Sequence, residues 1–303
     1  MLQAIQIGLN TNDMAGTLRL YSEAFGFRNA GGQAAWGKVI GVQGLPPESR
    51  TMMWWMVGIQ PFFQFELFTH AVPAQRPQPA DWRPSDLGWV RFTVRLAGFD
   101  HCLAVLAEHG VKPISPPRVS KGARHAAVRD PYVGAIIELV EADEGPSVSS
   151  IACSVADLEA ARRYYGELIG FPIRDLDTLR SEEDESLWGL DGARRDGFVV
   201  DAGGGVLLEI VRYSNPEGRP KPADHRISDQ GIMNIAVAAH DRAPVAAAPG
   251  RLAGAGLVPP FTYDDGSTIC GYIVGPDHEV EFTVVPEEAY SRFGFMAQGD
   301  FMG

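Results

Sequence analysis

The fold is decided by a stretch that occurs twice, at Leu9–Phe27 (LNTNDMAGTLRLYSEAFGF) and at Cys153–Phe171 (CSVADLEAARRYYGELIGF). At an offset of 144 residues, the two copies share six residue types, which are the pairs Asp13/Asp157, Arg19/Arg163, Tyr21/Tyr165, Glu23/Glu167, Gly26/Gly170 and Phe27/Phe171. Downstream, Glu66 falls on Glu209 and Glu138 on Glu281 at an offset of 143 residues. Two homologous halves explain this register.

Outward from each copy, the pattern predicts a helix inside a run of strands. Asp13 and Asp157 are typical helix N-caps, since a side-chain carboxylate accepts hydrogen bonds from the free N–H groups of the first turn. Gly26 and Gly170 are expected to end these helices, and strand-like runs lie on both sides. The order strand, helix, several strands recurs four times, which predicts an α+β fold.

Composition sets the class of protein. The chain has 303 residues, of which 45% are hydrophobic, so we expect two packed domains. The predicted boundaries are 1–143 for the first domain, 147–287 for the second and 288–303 for a C-terminal tail. A net charge of −12 argues against nucleic acid as a partner. The start of the chain does not resemble a signal peptide, and no apolar stretch is long enough to span a membrane, so we expect a cytoplasmic protein.

The repeated motifs resemble those of the vicinal oxygen chelate superfamily, which contains glyoxalase I, extradiol dioxygenases, methylmalonyl-CoA epimerase and bleomycin-resistance proteins. The resemblance lies in Asp13…Tyr21…Phe25-Gly26-Phe27, in its second copy, and in Asp130-Pro131-Tyr132-Val133-Gly134…Glu138-Leu139. It covers about residues 3–286. It implies four βαβββ modules that form two glyoxalase-like cupped β-sheet domains. We expect the two modules of each half to pair with each other to form one of these domains.

In the family, each cup holds a divalent ion between a ligand on the first strand of a module and a Glu on its last strand. The corresponding last-strand residues are Glu66, Glu138, Glu209 and Glu281, and the corresponding first-strand residues are Gln6, Trp89, Ser150 and Ile232. No first-strand position is a histidine, and imidazole is the usual neutral ligand of a tightly held transition metal. The iron site of an extradiol dioxygenase is therefore not expected, and we expect no cofactor. An alternative is a hard divalent ion held by Gln6, Glu66 and Glu138, which resembles the ligand set of glyoxalase I.

Without a metal, the acids themselves become candidates for catalysis. Burial of a carboxyl group raises its pKa towards the range in which it can act as a general acid or base at neutral pH. We therefore predict Glu66 and Glu138 as catalytic residues in a cup of the first half. The residues predicted to bind the substrate are Gln6, Trp54, Trp89, His125 and Tyr272.

Tyr272 belongs to this set because Tyr272–Pro276 resembles a tyrosine-containing segment that lines the site of extradiol dioxygenases. The predicted function is a glyoxalase-like lyase or isomerase that acts on a small oxygenated metabolite, aromatic or otherwise hydrophobic. The alternative is a metal-free binding or sequestration protein of the bleomycin-resistance type. In both, the partner is a small molecule, and a homodimer is left open.

Overall fold

Each repeat folds into two modules, and each module contains a strand, a helix and three further strands. The computed structural model describes residues 1–255, 262–264, 269–274 and 277–299. Gly275 and Pro276 of the segment that begins at Tyr272, and the last four residues of the predicted tail, lie outside these ranges. Within the described residues, we find no helix that is both long and apolar enough to cross a membrane.

The first repeat supplies eight strands and three helices. Module 1 consists of β1 (Gln3–Asn10), α1 (Met14–Leu20), β2 (Arg28–Trp36), α2 (Lys38–Gly41), β3 (Arg50–Val57) and β4 (Gln64–Val72). Module 2 consists of β5 (Gly88–Leu96), α3 (Phe99–Glu108), β6 (Arg118–Ser120), β7 (Ala123–Arg129) and β8 (Ile136–Glu141).

The second repeat has the same order of elements. Module 3 consists of β9 (Ser147–Ser154), α4 (Leu158–Arg162), β10 (Ile173–Asp175), β11 (Arg194–Asp201) and β12 (Leu207–Asn215). Module 4 consists of β13 (Gly231–Ala239), α5 (Arg242–Gly254), β14 (Thr262–Asp264), β15 (Ile269–Val274) and β16 (Glu279–Val284). The predicted four βαβββ modules are confirmed.

The predicted helix signals act as expected in both copies of the repeated stretch. The Asp13 carboxylate accepts a hydrogen bond from the backbone N–H of Gly16 at 2.9 Å, and Asp157 caps α4 in the same way. Both helices continue into π-helical turns, at Tyr21–Phe25 and Arg163–Ile169. Gly26 and Gly170 follow these turns with φ angles of 83° and 93°, the left-handed conformation that favours glycine at a helix end.

Two eight-stranded sheets form, and each takes one module from each repeat. One sheet has the strand order β14-β15-β16-β13-β1-β4-β3-β2, and the other has the order β10-β11-β12-β9-β5-β8-β7-β6. Strand β1 is antiparallel to β13, and β5 is antiparallel to β9. The expected pairing within each half is therefore wrong, and the boundary near residue 145 separates sequence repeats rather than sheets. We call the sheet of modules 1 and 4 cup A and the sheet of modules 2 and 3 cup B.

The largest apolar cluster joins the two sheets through their helix-covered faces. Phe65 on β4 and Phe92 on β5 are fully buried there, with ring centroids 5.2 Å apart. Since successive side chains of a strand point to opposite faces, Glu66 points to the opposite face of its sheet, into cup A. The packed core thus lies between the cups, and the closing acids lie on the sheet faces away from it.

Candidate active site

Strand register defines which first-strand residue faces each closing acid. Glu66 lies beside Gly8, two residues after Gln6, and Glu281 lies beside Ala236, two residues after Asn234. In cup B, Glu138 lies beside Thr93, two residues after Arg91, and Glu209 lies beside Ala152, two residues after Ser150. The residues that face these acids are therefore Arg91 and Ser150. Gln6 and Ser150 therefore lie where the sequence placed them.

The other two first-strand positions were each assigned two residues too early. Trp89 gives way to Arg91, and Ile232 gives way to Asn234. Cup A therefore presents Gln6, Glu66, Asn234 and Glu281, whereas cup B presents Arg91, Glu138, Ser150 and Glu209. The predicted group of Gln6, Glu66 and Glu138 does not form, because Glu138 lies in cup B.

In cup A, the two acids share the side-chain amide of Gln6. Gln6 Nε2 donates to Glu66 Oε2 at 2.5 Å and lies 3.4 Å from Glu281 Oε2. Trp55 Nε1 donates to the other oxygen of Glu66 at 3.1 Å. Glu281 also accepts from Asn234 Nδ2 at 3.3 Å and from Cys270 Sγ at 3.1 Å. One network of neutral donors therefore holds both carboxyl groups.

Burial changes the protonation of this pair. Loss of water around Glu66, together with the nearby Glu281 charge, raises the pKa of Glu66 to about 8. Burial also raises the pKa of Glu281. Two carboxylates in one poorly hydrated site cannot both be charged without a large cost, so near neutral pH the pair keeps a proton, which the higher pKa places on Glu66. This is the arrangement that general acid–base chemistry requires.

This proton makes stability depend on pH. The folded chain keeps a proton that the unfolded chain releases above the ordinary glutamate pKa of 4.5, so the free energy of unfolding should fall as the pH rises from about 4.5 to 8. We expect Glu66→Gln to remove most of this fall and to stabilise the protein above pH 8 by on the order of 3 kcal/mol. Urea denaturation of both proteins between pH 5 and 9 measures it; parallel curves would contradict the prediction.

A cavity of about 270 Å³ opens above the pair. Trp55, Phe68, Phe293 and Phe295 form apolar parts of its wall, and Tyr272, Gln43 and Gln64 add polar groups. Tyr272 lies directly opposite Glu281 on the neighbouring strand, and burial raises the pKa of this tyrosine. Such a combination of apolar wall and convergent polar groups is typical of a small-molecule site.

The structure separates the predicted substrate-binding residues. Gln6 and Tyr272 line the cup A cavity, but Trp54 packs against the core on the opposite face of β3, and its neighbour Trp55 lines the cavity instead. Trp89 donates its Nε1 hydrogen to the backbone oxygen of Glu279 at 2.9 Å and lines a different cavity. His125 lies in cup B. Adjacent strand residues point to opposite faces of a sheet, but the sequence does not indicate whether Trp54 or Trp55 faces the cavity.

In cup B, an arginine side chain lies between the two closing acids. Arg180 Nη1 donates to Glu138 Oε1 at 2.8 Å, and Arg180 Nη2 donates to Glu209 Oε1 at 3.1 Å. Arg91 forms a second ion pair with Glu209. His125 Nδ1 lies 2.7 Å from Glu138 Oε1. The exposed fraction is 0% for Glu138 and 4% for Arg180, so these charges are neutralised out of water.

The arginines reverse the effect of burial on the acids of cup B. Burial alone would raise the pKa of Glu138, but the nearby Arg180 charge holds it below its ordinary value. Burial would also raise the pKa of Glu209, but the charges of Arg180 and Arg91 lower it to about 2. Both acids are therefore charged at neutral pH. The guanidinium group of Arg180 is an internal cation in cup B. The sequence signal for buried positive charge in this cup was Arg91, a charged residue inside the apolar run of β5.

The residues of cup A fit a hard cation better than a transition metal. Glu66 and Glu281 offer carboxylate oxygens, whereas the amides of Gln6 and Asn234 turn their nitrogens towards these acids and would have to flip to add oxygen donors. Asn234 Oδ1 is buried with no hydrogen-bond partner among the described residues. Oxygen donors suit Mg²⁺, Mn²⁺ or Ca²⁺. Within the same part of the chain, no three His, Cys, Asp or Glu residues are grouped to hold a metal. The predicted ion site thus keeps Gln6 and Glu66 but replaces Glu138 with Glu281.

Comparison with solved structures identifies proteins of similar architecture. Glyoxalase I from Zea mays superposes with a TM-score of 0.62 at 15% sequence identity, over 97% of this chain and 95% of that chain. A putative dioxygenase from Bacillus subtilis superposes with a TM-score of 0.60 at 12% identity, over 99% of this chain and 92% of that chain.

Sequence comparison adds no relative. No protein-family profile matches the chain, and no curated protein matches it significantly. At such low identity, a structural likeness establishes the fold, while chemistry has to be argued from the site. The two cupped sheets, the four modules and the superpositions over nearly the whole chain agree with the resemblance of the motifs: this protein has the fold of the vicinal oxygen chelate superfamily.

Proposed function

We propose that this protein is a glyoxalase-like lyase or isomerase whose reaction takes place in cup A. The observation that carries the proposal is the pair of buried acids, Glu66 and Glu281, which share one amide donor at the floor of a cavity. Cup B offers no such pair, because Arg180 neutralises its acids.

In this proposal, Glu66 and Glu281 divide the roles of base and acid. With one proton between them, the charged carboxylate removes a carbon-bound proton next to a carbonyl group, and the protonated partner donates to the substrate oxygen. Tyr272 lies opposite Glu281 on the neighbouring strand, lines the same cavity and would orient that oxygen. The aromatic wall favours a small substrate that is aromatic or otherwise hydrophobic.

We propose that this site works without a tightly held transition metal, because none of its four inward residues is an imidazole or a thiolate. A hard divalent ion is the alternative, and the unpartnered Asn234 Oδ1 favours it. Gln6, Glu66, Asn234 and Glu281 would hold such an ion, which would polarise the substrate oxygens as a Lewis acid.

Metal analysis separates these two versions. We expect less than a tenth of an equivalent of zinc, iron, nickel or cobalt after dialysis against a chelator. Titration with Mg²⁺, Mn²⁺ and Ca²⁺ then reports, through the shift in melting temperature, whether a hard ion binds. Asn234→Leu is the matched variant, since it removes the free oxygen and should abolish any such shift. An equimolar transition metal ligated by Glu66 or Glu281 would contradict the proposal.

The reaction is tested in D₂O with the hemithioacetal of phenylglyoxal and a small thiol, a substrate with an aromatic ring and an acidic C–H bond. We expect wild-type protein to isomerise it, or to exchange its carbon-bound hydrogen for deuterium, as measured by mass spectrometry. The double variant Glu66→Gln/Glu281→Gln should do neither. Equal rates in the two proteins would exclude the acid pair as the catalyst.

A binding protein of the bleomycin-resistance type is the second candidate. Its support is that neutral donors already satisfy both acids, as expected of buried polar groups with a structural role. Ligand binding in cup A without turnover or exchange of any member of a panel of carbonyl compounds would favour this candidate.

A further inference from the structure

The C-terminal segment 287–299 returns across cup A after the last strand. Its end is fixed to β2, where the backbone N–H of Gln298 donates to Asn29 O at 2.8 Å and Asn29 Nδ2 donates to Gly299 O at 2.7 Å. Its start is fixed by rings, since Phe62 lies 5.1 Å from Tyr290 and 5.0 Å from Phe295 between centroids. The segment is therefore part of the folded structure at both ends.

Between these two attachments, the segment packs directly on the cavity wall. Gly294 has a φ angle of 75°, and a Cβ atom at this residue would lie 2.3 Å from the ring of Trp55. Only glycine fits so close to an indole in that conformation. The close approach places Arg292, Phe293 and Phe295 on the lining of the cavity.

Charge is distributed unevenly along this lining. Among the described residues that line the cavity, the charged or chargeable acids are Glu66 and Glu281, and the one cation is Arg292. The acids are buried at the floor, whereas Arg292 is exposed at the rim. No described carboxylate or carbonyl oxygen accepts a hydrogen bond from its guanidinium, which lies 5.1 Å from the ring of Phe293. A free cation thus stands at the opening of an acidic cavity.

We propose that Arg292 determines specificity by binding a carboxylate group of the substrate at the rim of cup A. This inference rests on the proposed function for the location of the reaction, and it narrows the substrate class to small hydrophobic carboxylates. The planar guanidinium matches a carboxylate with two parallel hydrogen bonds. The two acids at the floor repel an anionic group, so the substrate enters with its oxygenated carbon towards Glu66 and Glu281 and its carboxylate towards solvent.

The test compares two ligands that differ in charge alone. Phenyllactate and its neutral amide, phenyllactamide, are titrated into the full chain by calorimetry at pH 7. We expect wild-type protein to bind the acid about tenfold more tightly than the amide. Arg292→Gln should remove this preference through weaker binding of the acid, with the affinity for the amide unchanged. Arg292→Lys should restore part of it, since it returns the charge without the planar fork.

Arg19→Gln is the matched control, because Arg19 is an exposed arginine of α1 and does not line the cavity. It should keep the tenfold preference, which excludes a general effect of net charge. Equal binding of the two ligands to wild-type protein, binding of neither, or an unchanged preference in Arg292→Gln would overturn the inference. A preference that depends on Arg292 in a protein without Glu66-dependent turnover would instead reject the proposed reaction and leave the selectivity standing.

Discussion

Arg180→Met is expected to lower the free energy of unfolding by about 3–5 kcal/mol, the usual cost when one partner of a buried ion pair is removed. The substitution leaves Glu138 and Glu209 charged in a site where both are fully buried and only Arg91 still neutralises Glu209. Methionine fills a similar length of cavity, so the loss comes from electrostatics rather than from an empty space. Urea denaturation followed by circular dichroism measures it.

Two further variants separate this effect from simple disruption of packing. Arg180→Met/Glu138→Gln neutralises the acid left alone while Glu209 keeps its partner Arg91, so most of the lost stability should return. Arg174→Met removes an arginine from the half-exposed ion pair with Asp201 and should cost less than about 1 kcal/mol. If the double variant is no more stable than Arg180→Met, Arg180 supports cup B through packing rather than charge.

Glu66→Gln is expected to reduce turnover by roughly two to four orders of magnitude, the usual contribution of a positioned proton transfer. The amide keeps the shape of the side chain and can still bind a ligand, but it cannot take part in proton transfer. Glu279→Gln is the matched control: Glu279 lies on the same strand as Glu281, pairs with Lys221 and does not line the cavity. Its turnover should stay within a factor of about three of wild type. Loss of turnover in the control alone would place the reaction elsewhere.

The pH dependence of the rate gives a sharper result than the loss itself. Because the proposed reaction needs one charged and one protonated acid, kcat/KM should fall above a pH of about 8, where Glu66 loses its proton. In Glu281→Gln, the negative neighbour that helps to raise the pKa of Glu66 is gone, so the midpoint should move to lower pH while burial keeps it above 4.5. An unchanged midpoint would show that the two acids do not titrate together.

The sequence predicted the modules well because each depends on local signals. An N-cap such as Asp13 and a positive-φ glycine such as Gly26 act within one turn of a helix, so the same residues give the same structure in each copy. The closing acids were assigned from the family resemblance together with the repeat register, and all four lie on the last strands of their modules. Contacts between strands that are distant in the sequence decide which modules share a sheet. Because the two repeats are homologous, their first strands can pair either within a repeat or between repeats, and the sequence does not distinguish the two arrangements.

The site was predicted only in part, and the errors have a physical cause. Trp89 and Ile232 belong to the apolar core between the sheets, whereas Arg91 and Asn234 face the cups, because a register shift interrupts each of the β5–β9 and β1–β13 ladders at this point. Such a shift changes which face a residue two positions away points to, and regular alternation along the sequence does not indicate it. Arg180 lies on a connection between β10 and β11, where no periodicity indicates that its side chain enters cup B.

The exchange of modules between the repeats makes both cups depend on both halves of the chain. Since each cup contains one module of each repeat, neither repeat forms a complete cup by itself. The outer modules bring together two acids held by neutral amides, whereas the inner modules place an arginine between the corresponding pair. A cut at the repeat boundary would therefore divide both cups and would not release two independent domains.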